Sequence, residues 1–229
     1  MRKIISLLLI LSLPLVSLST SYIYAQGTTP KVTTVLQQLE KDSGGSMQVK
    51  WNSTIRTPSL ITGKLSLPSK HSAEWIAYGF LNKTRTLYGL ENPKRDMKIL
   101  EVVRQSGLIK VYFQHQLFGI PVWKDELIVE MDNKGVIQKV IGTIHPNLEQ
   151  KLFNRPMYPA ISKKQAIRRA KGLVSRELVN EPKVESYYLP TRPGTPLIYA
   201  VKLQYRIPAK TTLTFIHSLT GRIIEIQVL

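Results

Sequence analysis

"FGIPVWKDELIVEMDNKGVIQKVIGTI", residues Phe118 to Ile144, reads as a β-hairpin. Apolar and polar residues alternate from Val122 to Met131, Asp132-Asn133-Lys134-Gly135 has the composition of a turn, and a second apolar stretch returns. Alternation predicts that Trp123, Leu127, Val129 and Met131 share one face, with Lys124, Glu126 and Glu130 on the other and Ile128 as an interruption. Asp125 and Glu126 are adjacent, so on a strand they face opposite sides and cannot work together as an acid/base pair.

The neighbouring segments extend the sheet. Leu108 to Leu117 and Met97 to Val103 flank a Gln105-Ser106-Gly107 turn and read as two further strands. In the first of them Val111, Phe113 and Leu117 share a face with His115, while Lys110, Tyr112, Gln114 and Gln116 take the other. Farther upstream, Met47 to Trp51 and Thr54 to Leu65 read as extended. Two helices are expected, over Thr28 to Lys41 and over His71 to Leu87, the second with Trp75, Ile76, Phe80 and Leu87 as its buried stripe.

Downstream, Leu148 to Pro159 has little periodicity and reads as a connector. Ser162, with Gln165 three residues on, then forms a capping-box pattern. Ala166, Ile167, Ala170, Leu173, Val174 and Leu178 fall on one arc of the helix that follows, and Lys164, Arg168, Arg169, Lys171 and Arg176 on the opposite arc. Four strands are expected after it, over Lys183 to Leu189, Leu197 to Tyr205, Thr211 to His217 and Arg222 to Val228. The order gives an α+β protein of two subdomains, each an antiparallel sheet packed with helix.

The first 25 residues stand outside this scheme. Arg2 and Lys3 precede an apolar run from Ile4 to about Leu18, and Ala25 offers a small-residue cleavage point, which is the pattern of a secretory signal peptide. Retention as a membrane anchor is the alternative; Ser12, Pro14, Ser17 and Ser19 weaken it, because a spanning helix wants about 20 predominantly apolar residues. The expected address is therefore the exterior or the envelope of a bacterial cell. With no cysteine in the chain, disulfides and cysteine-linked lipid are both excluded.

Charge is asymmetric. Residues 26–153 carry 17 basic and 11 acidic side chains, and residues 154–229 carry 13 and 4, so the shorter part is the more basic, at +9 against +6. Such a chain is expected to meet anionic wall polymer, lipid headgroups or an acidic protein. Export and the lack of a recognised motif argue against nucleic acid. The cationic arc of Lys164, Arg168, Arg169, Lys171 and Arg176 has two readings: a solvated helix face, or a site for an anionic surface.

Catalytic patterns are missing. His71, His115, His145 and His217 include no pair at helical ligand spacing, and there is no H-E-x-x-H, nucleophile elbow, phosphate loop or dinucleotide fingerprint. The sequence points to no enzyme, no metal and no cofactor. His115, on a mostly apolar strand face, is expected to be hydrogen-bonded or partly exposed.

"IKVYFQHQLFGIPVWKDELIVEMDNKGVIQKVIGTIHPNL" resembles the fungalysin/thermolysin propeptide motif, with Gly119, Pro121, Val122, Asp132 and Gly135 at matching positions. "SLITGKL" and the Trp75-centred helix are similar to that propeptide's opening. "ISKKQAIRRAKGLV", "PLIYAVKL" and "FIHSLTGRIIEI", with Thr220-Gly221 in the last hairpin, resemble a PepSY domain. Tyr112, His115 and Lys124 depart from the family pattern. The resemblance implies a propeptide-like domain over residues 26–150, a linker over 151–160 and a PepSY-like domain over 161–229.

In that family a zinc peptidase domain follows, whereas this sequence ends at Leu229; the expectation is a free-standing prodomain that binds a thermolysin-like metallopeptidase in trans. Its candidate contacts are Glu225, Gln227, Val228 and Leu229. Strict alternation in "RIIEIQVL" puts Arg222, Ile224, Ile226 and Val228 on one face and Ile223, Glu225, Gln227 and Leu229 on the other. The segment is either the last strand of its sheet or, for its final two or three residues, a free tail able to enter a cleft.

Overall fold

In the computed structural model, residues 30–172 and 177–229 are described. The expected signal segment, and Leu173, Val174 and Arg176 of the basic helix, lie outside the described residues.

The first subdomain is an antiparallel sheet in the order β1 (Gln48–Trp51), β2 (Pro58–Thr62), β6 (Ile137–Thr143), β5 (Ile120–Asp132), β4 (Leu108–Leu117) and β3 (Met97–Gln105). The helices α1 (Pro30–Asp42) and α2 (Ala73–Tyr88) pack on it. The short α3 (Pro93–Asp96) and α4 (Leu148–Lys151) follow α2 and β6. The second subdomain runs β7 (Lys183–Tyr188), β8 (Leu197–Tyr205), β9 (Lys210–His217) and β10 (Ile223–Val228), all antiparallel, with α5 (Lys163–Lys171) on one face. The fold is α+β, and a single parallel bridge, Val122 to Tyr188, joins the two sheets through β5.

Local chemistry explains the elements. Ser72 Oγ accepts from the Trp75 N–H at the start of α2, and Gly89 closes the helix in the left-handed region with φ of 63°. Ile76, Ala77, Phe80, Leu81, Thr84 and Leu87 face the core at 3.6 periodicity. Each large apolar side chain buried this way is worth about 1.5–3 kcal/mol. Trp75 does not belong to that stripe. It is 57% exposed and stacks on His71 at 4.0 Å between ring centroids, because position 75 precedes the core-facing Ile76 by a full 100° of helix rotation.

The capping box at Ser162 and Gln165 is present on α5. That helix ends earlier than its apolar pattern suggests: Gly172 takes φ of 68°, and Leu178 makes an isolated bridge to Tyr205. The connector after β6 is also less loose than its composition implies. Leu148 and Leu152 are buried beside Leu117, Val122, Tyr188 and Leu197, filling the joint between the sheets.

Asp132 and Gly135 build the turn between β5 and β6. Asp132 Oδ1 accepts from the N–H groups of Lys134 and Val136, both at 2.9 Å, and Gly135 has φ of 74°. A Cβ there would lie 2.5 Å from Ser69 O. Gly135→Ala is therefore expected to cost about 1–3 kcal/mol through backbone strain alone, with the clash added. Gly79→Ala, in mid-helix where a Cβ meets nothing within 4 Å, should instead stabilise by about 1 kcal/mol. Urea denaturation of the two variants checks both signs.

Candidate functional site

Three features of the structure bear on function: a buried polar cluster at the joint, the basic helix, and the last strand.

The cluster is built on a bulge. Gln114 pairs with Glu126 and Gln116 with Pro121, so Val122 to Asp125 together oppose His115 alone. Lys124 sits at φ of 59° to accommodate the excess chain. Gln114, buried rather than solvent-facing, donates through Nε2 to Val122 O (2.8 Å) and Asp125 O (2.9 Å) and so occupies the bulge. The bulge re-aims two side chains. Val122 turns to Tyr188, and Trp123 leaves the face of Leu127, Val129 and Met131 to lie edge-on against Tyr187 and Phe215, each at 4.9 Å. Asp125 keeps the inward direction of Leu127, Val129 and Met131.

The Asp125 side chain is fully buried. Its Oδ2 accepts from the His145 backbone N–H (2.7 Å) and lies 3.0 Å from His115 Nδ1, and its Oδ1 lies 2.6 Å from His145 Nδ1. An ionised carboxylate only accepts, so both imidazoles present Nδ1–H to it. Burial pushes the Asp125 carboxyl up, but the hydrogen bonds from His115 and His145, with their charge, outweigh burial and hold it below its ordinary 3.8. A buried charge is tolerable only when paired and hydrogen-bonded in this way. His115 is thus a hydrogen-bonded core residue. The missed partner had a signal: Asp125 is in step with the buried Leu127, Val129 and Met131.

The cluster clamps β4, β5 and the segment after β6 at the point where β5 passes from one sheet to the other. With Asp125 shut off from solvent, its chemistry is structural. Among the described residues no group of three or more His, Cys, Asp or Glu side chains is placed to hold a metal ion, and no helix is long and apolar enough to cross a membrane.

The motif positions named from the sequence act on the backbone. Phe118 and Gly119, both at positive φ, make the two-residue turn between Leu117 and Ile120. Pro121 and Val122 lead into the bulge. At the far hairpin the Thr220 hydroxyl accepts from the Arg222 N–H, and the Gly221 N–H donates to His217 O. The side chain of Arg169 lies across Gly221, where a Cβ would meet Nε at 2.5 Å.

On α5, Lys164, Arg168, Arg169 and Lys171 are all exposed, as is Lys163. Among the described residues none of the five is ion-paired. They line the outer side of a helix whose Ala166 and Ile167 pack on Tyr199, Val201 and Ile216.

The last strand is not a free tail. Gln227 pairs with Leu213, Val228 with Thr212, and the Leu229 N–H donates to Thr211 O at 3.0 Å. The ladder with β9 satisfies those groups, which a loose end would leave to water. The strand also departs from strict alternation. A register shift between Ile223 and Glu225 moves Ile224 to the cluster around Phe215, while Ile226 and Val228 sit opposite Thr214 and Thr212 on the side that carries α5. Glu225 accepts from Gln227 Nε2 (2.8 Å) and Arg192 (3.3 Å), and these two contacts, Gln227 first, keep its carboxyl below the ordinary value.

No family model matches the chain. It is 25% identical over 166 residues to bacillolysin of Bacillus cereus, a match covering 70% of this chain and 29% of that protein, so the chain spans less than a third of that relative's length. Among solved structures, the YpeB C-terminal domain of Bacillus megaterium matches over 88% of this chain and 98% of its own, at 14% identity and a TM-score of 0.37.

The depressed Asp125 pKa fixes the sign of a pH dependence. Its contribution to stability is fully present above the unfolded value and is lost as pH falls through the lower folded value. Asp125→Asn should cost about 3–5 kcal/mol near pH 7, and its deficit relative to the parent chain should shrink below pH 3.8. Denaturant unfolding across pH 2–7 (roughly the range that brackets carboxylate titration) measures both.

Proposed function

We propose that this chain is a secreted, non-catalytic, prodomain-type module of a bacterial cell. In this reading it binds a thermolysin-like zinc metallopeptidase in trans, inhibiting it or assisting its folding. The observation that carries the reading is the partial match to bacillolysin, confined to 29% of that protein, in a chain whose motifs resemble a peptidase propeptide and a PepSY domain. The positions that carry the resemblance, Gly119, Asp132, Gly135 and Gly221, shape turns and put no reactive group in reach of a substrate. That fits a scaffold.

The physical effect follows from linkage. A module that binds a folded peptidase and not its unfolded chain stabilises the folded form by mass action, about 2.7 kcal/mol at a hundredfold excess over Kd. The same complex inhibits if it covers the substrate cleft. Mixing the purified chain with zinc-loaded bacillolysin should change its activity or its refolding yield and shift its elution. Unchanged activity, yield and elution volume together would remove the proposal.

The basic helix favours a second reading, retention on anionic wall polymer or membrane. Five exposed cations that make no ion pair among the described residues would each contribute on the order of 1 kcal/mol near such a surface. Salt separates the two: adhesion through exposed charges should fall away above about 0.15 M, whereas a peptidase complex with an apolar centre should persist in co-sedimentation or pull-down.

A further inference from the structure

We infer that the open edge of β10 receives an extended, acidic segment of the partner protein as an additional strand. This rests on the prodomain reading for the partner's identity, and on the edge itself for the mode of binding.

Among the described residues β10 pairs with β9 alone. The Leu229 N–H points to β9, and alternation along an antiparallel strand then sends the N–H and C=O groups of Gln227 inward and those of Ile226 and Val228 outward. The side chains of the same two residues are exposed, Ile226 at 56% and Val228 at 63%. A row of outward backbone groups flanked by exposed β-branched residues is a template for strand addition.

The edges at β1 and β3 are protected against that outcome. β1 is only four residues long and carries Lys50. β3 carries Lys98, Glu101 and Arg104, with a register shift between Ile99 and Glu101. Charged side chains, short length and bulges are the usual means of blunting an edge. On β10 the bulge lies at the entry, and Ile226 to Leu229 contains no charged side chain and no proline.

Charge specifies the occupant. Ile226 and Val228 lie on the side of the sheet that carries α5, and Arg169 of α5 reaches the turn leading into β10. Arg169 thus stands at the entry to β10, and residues 154–229 carry a formal charge of +9. A second copy of this chain would bring the same positive charge to the same edge, and like charges at close range disfavour that pairing. An extended acidic segment completes the backbone ladder and brings charge opposite to the +9 of residues 154–229.

The test has two arms on the folded full-length chain. In the first, a synthetic peptide alternating Glu and Val, and its Lys-Val counterpart, are titrated into 15N-labelled protein. The acidic peptide should shift the amides of Ile226 and Val228, with affinity falling as salt rises. No shift there, or equal binding of the basic peptide, would overturn the inference.

In the second arm, zinc-loaded bacillolysin is titrated against the parent chain, Val228→Pro and Ile226→Lys. The proline removes one outward N–H without touching the β9 ladder, and the lysine leaves every backbone group in place. Each should weaken binding at least about tenfold while urea midpoints stay close to the parent's. Equal affinity of both folded variants would overturn the edge and leave the prodomain reading standing. Acidic-peptide binding without bacillolysin binding would uphold the edge and remove that reading.

Discussion

A buried carboxylate holds this molecule together at its joint. Asp125 lies where β5 stops being a strand of the first sheet and begins to serve the second, and it is fully enclosed. Its two oxygens take three donors from His115 and His145. Without those donors the charge would be unaffordable at that depth, and without the charge the bulge would lose its anchor. Gln114 satisfies the carbonyls that the bulge exposes. The placement of Val122 against Tyr188 and of Trp123 against Phe215 follows from that geometry.

Once the joint is set, the second subdomain has a definite outward face. The sheet β7 to β10 buries Tyr199, Val201, Leu203 and Ile216 under α5, and the cations of α5 face solvent, with Arg169 lying across the turn before the last strand. The first subdomain spends its polar residues on turns and on the joint. The basic helix and the β10 edge are the features of the second subdomain left open to a partner.

Much of this was legible in the sequence. Period-2 alternation located β4 and β8 at Leu108–Leu117 and Leu197–Tyr205, and the Ser162/Gln165 pair located the start of α5. Two of the failures share a cause: alternation assumes an unbroken strand. The bulge at Val122 to Asp125 moved Trp123 off its expected face, and the register shift at Ile223/Glu225 did the same to Ile224. Neither is visible from residue type alone. Trp75 was misplaced because a large aromatic next to a core stripe looks like part of it. The His115–Asp125–His145 cluster was missed because its members are 10 and 20 residues apart and converge only through sheet registry. The Leu229 backbone bond that removes the tail is likewise a tertiary fact.

Residue-level amide exchange, with and without zinc-loaded bacillolysin, addresses the central claim that this chain acts by offering a docking edge. Exchange at Ile226 and Val228 should be fast in the chain alone, since their N–H groups point away from β9, and should slow on complex formation. Complex formation that leaves those two amides unchanged while slowing exchange elsewhere would contradict it.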